Sequence, residues 1–340
     1  MVDKKNINLV VSDSIIHNLS EALIDITAAV IQNKNVVISL NMEGPCLESL
    51  TYRSQSNLLR LLEKICMDHQ YDKDRIQIIT GNFIQPRVWP NIKIVNSSDG
   101  WFYGKHIKKI QQTKTFQYHF GSFVSNCTWP RLLIGSHLLC KHLDKTFQTF
   151  RRNPKDPGQA VDLCLDQLMF NCVDPKILGP VTDFINQLPI EKEEGLAEHP
   201  KTNIGVGEDG DAINHTITSW YGKFFCDVVT ETYFTGKTFH PSEKTTRPLM
   251  CGNPFLIHGP VNYLSNLRKL GFKTFNGFWD ESYDHWHGYE RYKMIAKIID
   301  DLALMTLNDL DVLYKKMLPV LEHNQNQIEN LSAEAFKVFM

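Results

Sequence analysis

The chain has 340 residues, 22% of them charged and 11% aromatic, with a formal net charge of −2. That length exceeds one ordinary core and makes two domains the default, while the aromatic content excludes a disordered chain. Every apolar run is too short to span a bilayer, and residues 1–6 carry no signal-like apolar stretch, so no membrane partner and a cytoplasmic location are expected.

In chain order, residues 8–11 read as a first strand, with Ser12 and Asp13 as caps for a helix over 15–31. The helix rests on the apolar spacing of Ile16, Leu19, Leu23 and Ile26. Residues 36–40, 75–80 and 92–95 read as strands, and 47–67 as a second helix. Short apolar strands alternating with helices predict a parallel sheet covered on both faces. A second series follows. It has strands at 118–124, 225–230 and 254–257, and helices at 131–143, 162–170, 180–188, 243–251 and 261–270. A polar, acidic, glycine-bearing loop at 189–211 interrupts it, and 288–339 is helical by periodicity. The expected fold class is α/β, with two Rossmann-like domains facing a cleft. They cover residues 1–115 and 116–287, with C-terminal helices 288–340 packing across both.

Eight cysteines are scattered without a CxxC pair, which predicts free thiols and neither a disulfide framework nor a zinc site. No histidine set has zinc spacing; His285 and His287 flank Trp286 and would share a face only on a strand. Asp209 and Asp211 form an Asp-x-Asp pair in the acidic loop and are read as loop, so no metal is expected. Charge is segregated: residues 101–155 hold ten Lys/Arg against Asp144, whereas 156–211 hold twelve acids against three Lys. The basic block reads either as an anion or nucleic-acid surface or as a patch docking on the acidic block. Within it, Trp101-Phe102-Tyr103 beside Lys105, Lys108 and Lys109 suits nucleic-acid contact, or a partly buried loop.

Two stretches carry chemistry. Ser242 is a good N-cap for a helix whose first turn holds Glu243 and Lys244, where free N–H groups and the dipole favour anions. Lys244 there suits a diphosphate and Glu243 a ribose hydroxyl; a capped surface helix with solvated charges is the alternative. His240 lies just upstream, in reach of such a donor. In residues 121–133 a strand ends in Ser125-Asn126, and a helix opens with Pro130 in its first turn, followed by Arg131. Arg131 can clamp a phosphate bidentately or pair with a nearby carboxylate.

Taken together, Phe123-Val124-Ser125-Asn126, Arg131, Glu231, Ser242-Glu243-Lys244 and the apolar strand ending in Gly259 resemble the bacterial-type α-1,3-fucosyltransferases. These are inverting glycosyltransferases of the GT-B fold. The resemblance covers roughly residues 116–270. It implies a nucleotide-sugar co-substrate and no cofactor, with Arg131 and Lys244 on the donor diphosphate, Glu243 on the ribose and Glu231 near the transferred sugar. It also implies a general base from the N-terminal domain. Glu43, held after the second strand by Gly44-Pro45, is the candidate; Glu48 is the alternative and would be structural. Residues 267–275 and 279–284 are similar to a group of phage-encoded proteins related to these transferases, although Asp280, Glu281 and Asp284 also read as a solvated acidic turn. This second resemblance implies a hydroxymethylated base in double-stranded phage DNA as acceptor. A glycan acceptor, or a non-catalytic nucleotide or nucleic-acid binding protein, are the alternatives.

Overall fold

The computed structural model describes residues 3–12, 15–16, 18–40, 45–47, 51–52, 56–72, 75–84, 89–96, 102, 107–124, 127–151, 161–171, 174–190 and 215–339. The chain is mixed α/β and divides into two units. The first comprises residues 1–100, 235–240 and 336–340; the second comprises 101–234 and 241–335.

In the first unit, β1 (Lys4–Asn8), β2 (Asn35–Ser39), β3 (Ile76–Thr80) and β4 (Ile92–Asn96) form one all-parallel sheet in chain order. Parallel neighbours need crossovers, and α1 (Leu19–Ile31) and α2 (Leu58–Asp68) supply two of them. The core gathers Ile7, Leu9, Leu19, Ile26, Val36, Ile38, Leu62, Ile76 and Ile78. Burial alternates along β2 and β3 between buried and half-buried residues. This sheet is therefore fully covered on one face, not on both as the apolar runs suggested.

Three expected elements shift in this unit. The first strand is the polar Lys4–Asn8, placed by its ladder to β2, and the more apolar 8–11 follows it. The first helix begins at Leu19, because Val11–Ser12 and Ile15–Ile16 pair as an antiparallel hairpin. Asn18 precedes the helix, so Ser12 does not cap it. The second helix begins at Leu58, where the Asn57 side chain accepts from the N–H groups of Leu59 and Arg60.

In the second unit, β5 (Tyr118–Val124), β6 (Thr146–Phe150), β7 (Phe224–Thr230) and β8 (Phe255–His258) form a parallel sheet in the order β6-β5-β7-β8. All residues of β6, β7 and β8 are buried, as a sheet covered on both faces requires. α3 (Trp129–His142) links β5 to β6. α4 (Val161–Asn171), α5 (Leu178–Asn186) and α6 (His215–Trp220) precede β7; α7 (Glu243–Cys251) links β7 to β8, and α8 (Tyr263–Lys269) follows β8. α9 (Gly288–Ala303) packs on α3, and α10 (Leu307–Asn330) packs on α7. Thr306 and Asp309 close a reciprocal capping box at the start of α10.

Buried polar groups tie this unit together. Lys114, its pKa lowered by burial to about 8, donates to the carbonyls of Tyr221 and Cys251 and to Asn253 Oδ1. Gly252 ends α7 with φ 64°, the left-handed closure glycine adopts without strain. In the motif at 279–284, Asp280 is exposed and accepts from the Ser282 N–H, as a solvated turn would have it, but the other two acids are internal. Glu281 is buried and accepts from Thr274, Arg268 and the Phe275 N–H. Asp284 accepts from the N–H groups of Leu264 and Ser265 at the start of α8 and pairs with the buried Arg291. Among the described residues the seven cysteines are free thiols, and Cys140 is the exposed one.

Candidate functional site

The strand order of the second sheet reverses between β5 and β7. From β5 the chain runs outward through α3 to β6, then returns to add β7 and β8 on the other side. Such a reversal leaves a crevice outside the carboxyl ends of the two central strands, the usual ligand position in open α/β sheets. The starts of α3 and α7 follow β5 and β7 into this region.

Arg131 lies in the first turn of α3, after N-cap Thr128 and with Pro130 in that turn. Its side chain is 2% exposed. Nε and Nη2 donate to the Thr230 carbonyl at 3.3 and 3.0 Å, and Nη2 lies 3.5 Å from Thr232 Oγ1. The guanidinium bridges α3 to the end of β7.

Ser242 is the N-cap of α7, its hydroxyl accepting from the Lys244 N–H at 3.2 Å. The same hydroxyl donates to Glu231 Oε2 at 2.6 Å. Glu231 is buried and also accepts from Ser242 N, Thr245 Oγ1 and Tyr263 OH. Its carboxylate is engaged on all sides with the start of α7 and with Tyr263 of α8, so in this geometry it anchors the helix.

Lys244 Nζ lies 3.4 Å from Thr232 Oγ1 and pairs with Glu243. Arg247, one turn on, donates from Nε to the Glu243 carbonyl, and its Nη2 is 4.0 Å from Glu243 Oε1. Its Nη1 is buried with no hydrogen-bond partner among the described residues. Burial alone would raise the Glu243 pKa, but Lys244 and Arg247 outweigh it and hold the carboxyl at about 2. Beneath them, Asp227 accepts from Tyr221 OH. Burial pushes Asp227 up to about 7, against the lowering effects of Tyr221 and Arg247. At the end of β7, Arg131 and Lys244 thus lie beside Thr232, while Glu243 pairs with Lys244 and faces Arg247.

The second unit therefore brings together Arg131, Glu231, Ser242, Glu243 and Lys244. His240 belongs to the first unit, its Nδ1 3.1 Å from the Gly81 carbonyl after β3. Glu43, Glu48, Ser125, Asn126, Lys105, Asp209 and Asp211 lie outside the described residues. Lys108 is exposed; Lys109 turns to α10, donating to Asn326 Oδ1 at 2.9 Å and lying 3.6 Å from Glu329. Among the described residues of the basic block of 101–155, Lys114 and Arg131 are internal, Arg151 is buried, and Lys141 pairs with Asp300; Arg152 and Lys155 also lie outside the described residues. Thr232 and Arg247 escaped the sequence reading. The i, i+4 spacing of Glu243 and Arg247 on one helix face was the available signal for Arg247; Thr232 carries none.

No family model and no curated protein matches the sequence. Among solved structures, the chain is similar to an alpha,alpha-trehalose-phosphate synthase (UDP-forming) from Burkholderia vietnamiensis. The TM-score is 0.48 and the identity 9%, over 94% of this chain and 68% of that one. It is also similar to the N-terminal domain of Candida albicans trehalose-6-phosphate phosphatase, with a TM-score of 0.43 and 9% identity over 99% and 68% of the two chains.

Proposed function

We propose that this chain is a nucleotide-sugar-dependent glycosyltransferase acting with inversion. The observation that carries the reading is the meeting of Arg131 and Lys244 at Thr232, at the starts of two helices beside a switch point. Helix N-termini with fixed cations bind phosphates, and a nucleotide diphosphate supplies two. In the proposed reaction an acceptor hydroxyl oxygen bonds to the anomeric carbon as the bond from that carbon to the diphosphate oxygen breaks. Glu43 takes the acceptor proton. The leaving diphosphate takes the bonding electron pair, and Lys244, Arg131 and the α7 N–H groups stabilise its charge without reorganising. Glu243 receives the ribose. Glu231 serves by holding the start of α7 in place, a positional role supported by its four hydrogen bonds.

For the acceptor, the proposal is a hydroxymethylated base in double-stranded DNA, supported by the phage-type resemblance of 267–284. Among the described residues of the basic block, Lys114, Arg131 and Arg151 are internal and add nothing to a cationic surface. Transfer of labelled sugar to hydroxymethylated DNA should fall steeply with salt, whereas transfer to a glycan should not. Sugar transfer by the parent chain, retained donor binding and lost turnover in Glu43→Gln would support the mechanism. Equal turnover in Glu43→Gln would remove Glu43 from it. Nucleotide binding with no transfer to any acceptor would favour a non-catalytic binding protein.

A further inference from the structure

We propose that His137, His142 and Asp300 form a divalent transition-metal site, suited to Zn²⁺, that clamps α9 to α3. The two imidazoles come from α3 and the carboxylate from α9. His137 Nε2 and His142 Nε2 both approach the same oxygen, Asp300 Oδ1, at 2.8 and 2.7 Å. One ligand atom from each residue lies within 4.8 Å of the others.

Two imidazole nitrogens and one carboxylate oxygen are a common donor set for zinc, whose bonds to them are about 2.0–2.2 Å. Ligand atoms around a tetrahedral ion of that size stand roughly 3.3 Å apart. An opening of about half an ångström at Asp300, whose side chain is 40% exposed, admits the ion. Three protein ligands leave a fourth position for a water.

The surroundings favour ligation. Tyr292 OH lies 3.4 Å from His137 Nδ1, so the ring can use Nδ1 for a partner and turn a deprotonated Nε2 to the metal. Lys141 Nζ is 3.2 Å from the other carboxylate oxygen, Oδ2, and leaves Oδ1 for monodentate binding. The ligand spacing in α3 resembles no zinc motif, and the third ligand arrives from far along the chain, so only the folded structure assembles the set. None of the three residues belongs to the proposed donor site.

The full chain, stripped with chelator, is titrated with Zn²⁺ against a chromophoric competitor. One tightly bound equivalent is expected, weakened at least about tenfold in both His142→Ala and Asp300→Asn and unchanged in Cys140→Ser. Co²⁺ in the parent protein reads the ligand type without any substitution: ligand-field bands without thiolate charge transfer are expected. Absence of binding at micromolar zinc, parent-like binding in Asp300→Asn, or a cobalt–thiolate charge-transfer band would each overturn the proposal.

Discussion

Arg131 and Lys244 enter the second unit's site from the first turns of two different helices and meet at one oxygen, Thr232 Oγ1, at 3.5 and 3.4 Å. Lys244 Nζ also pairs with Glu243, so a phosphate bound here would share that cation with the carboxylate. Lys244→Ala should weaken nucleotide diphosphate binding about 10–100-fold, the worth of one hydrogen bond to a charged group. Thr232→Val should weaken it less, because both cations remain. Isothermal titration calorimetry measures both. A larger loss in Thr232→Val than in Lys244→Ala would place the phosphate elsewhere.

Glu231 is expected to act on the helix, not on the sugar. Glu231→Ala strips the acceptor from Ser242, Thr245 and Tyr263 together and should cost about 3 kcal/mol of unfolding free energy. Glu231→Gln should cost less and keep measurable turnover. Urea unfolding and a transfer assay separate the two roles. A stable Glu231→Gln variant with no turnover would restore a direct part in the chemistry.

Stability should respond to acid through Glu243. Its folded pKa, about 2, lies below its ordinary value of 4.5, so its contribution is complete above pH 4.5. That contribution is lost as pH falls from 4.5 towards 2. Asp227 works in the opposite sense. Its folded pKa of about 7 lies above its ordinary 3.8, so between these values the folded state holds more protons than the unfolded. Stability therefore declines as pH rises through that window, by up to about 1.4 kcal/mol per pH unit. Asp227→Asn should flatten the decline between pH 4 and 7, and chemical denaturation across pH tests it. An unchanged slope in the variant would show that Asp227 titrates normally.

Gly121 is required by the packing of β5. A Cβ there would stand 2.5–2.7 Å from the ring carbons of the buried Phe224. Gly121→Ala should destabilise the second unit by about 1–3 kcal/mol, the usual cost of overpacking, seen as a lower denaturation midpoint. Gly179, where a Cβ would meet nothing within 4 Å, serves as the control.

The sequence made the strands Tyr118–Val124, Phe224–Thr230 and Phe255–His258 legible, because their apolar runs are buried at nearly every residue. It failed where tertiary pairing outweighs composition. The polar Lys4–Asn8 is a strand because β2 pairs with it, and the apolar residues after it are not part of that ladder. Thr146–Phe150 was missed because its polar Thr149 and Gln148 are buried, and Gln148 Nε2 finds its partner in the Gly135 carbonyl. At the site, Ser242, Lys244 and Arg131 were readable from local helix-start chemistry. Thr232 and Arg247 were not singled out, since their significance comes from where β7 ends relative to α3 and α7. The anchoring role of Glu231 was equally hidden, because Tyr263 reaches it from α8.

The most direct test is binding of nucleoside diphosphates and nucleotide sugars to the parent chain and to Lys244→Ala, followed by thermal shift. A cognate donor at 100 times its dissociation constant should stabilise the parent by about 2.7 kcal/mol. The account predicts a shift with one nucleotide family that is lost or strongly reduced in Lys244→Ala while the variant's own unfolding stays cooperative. No shift with any nucleotide, or an equal shift in Lys244→Ala, would contradict it.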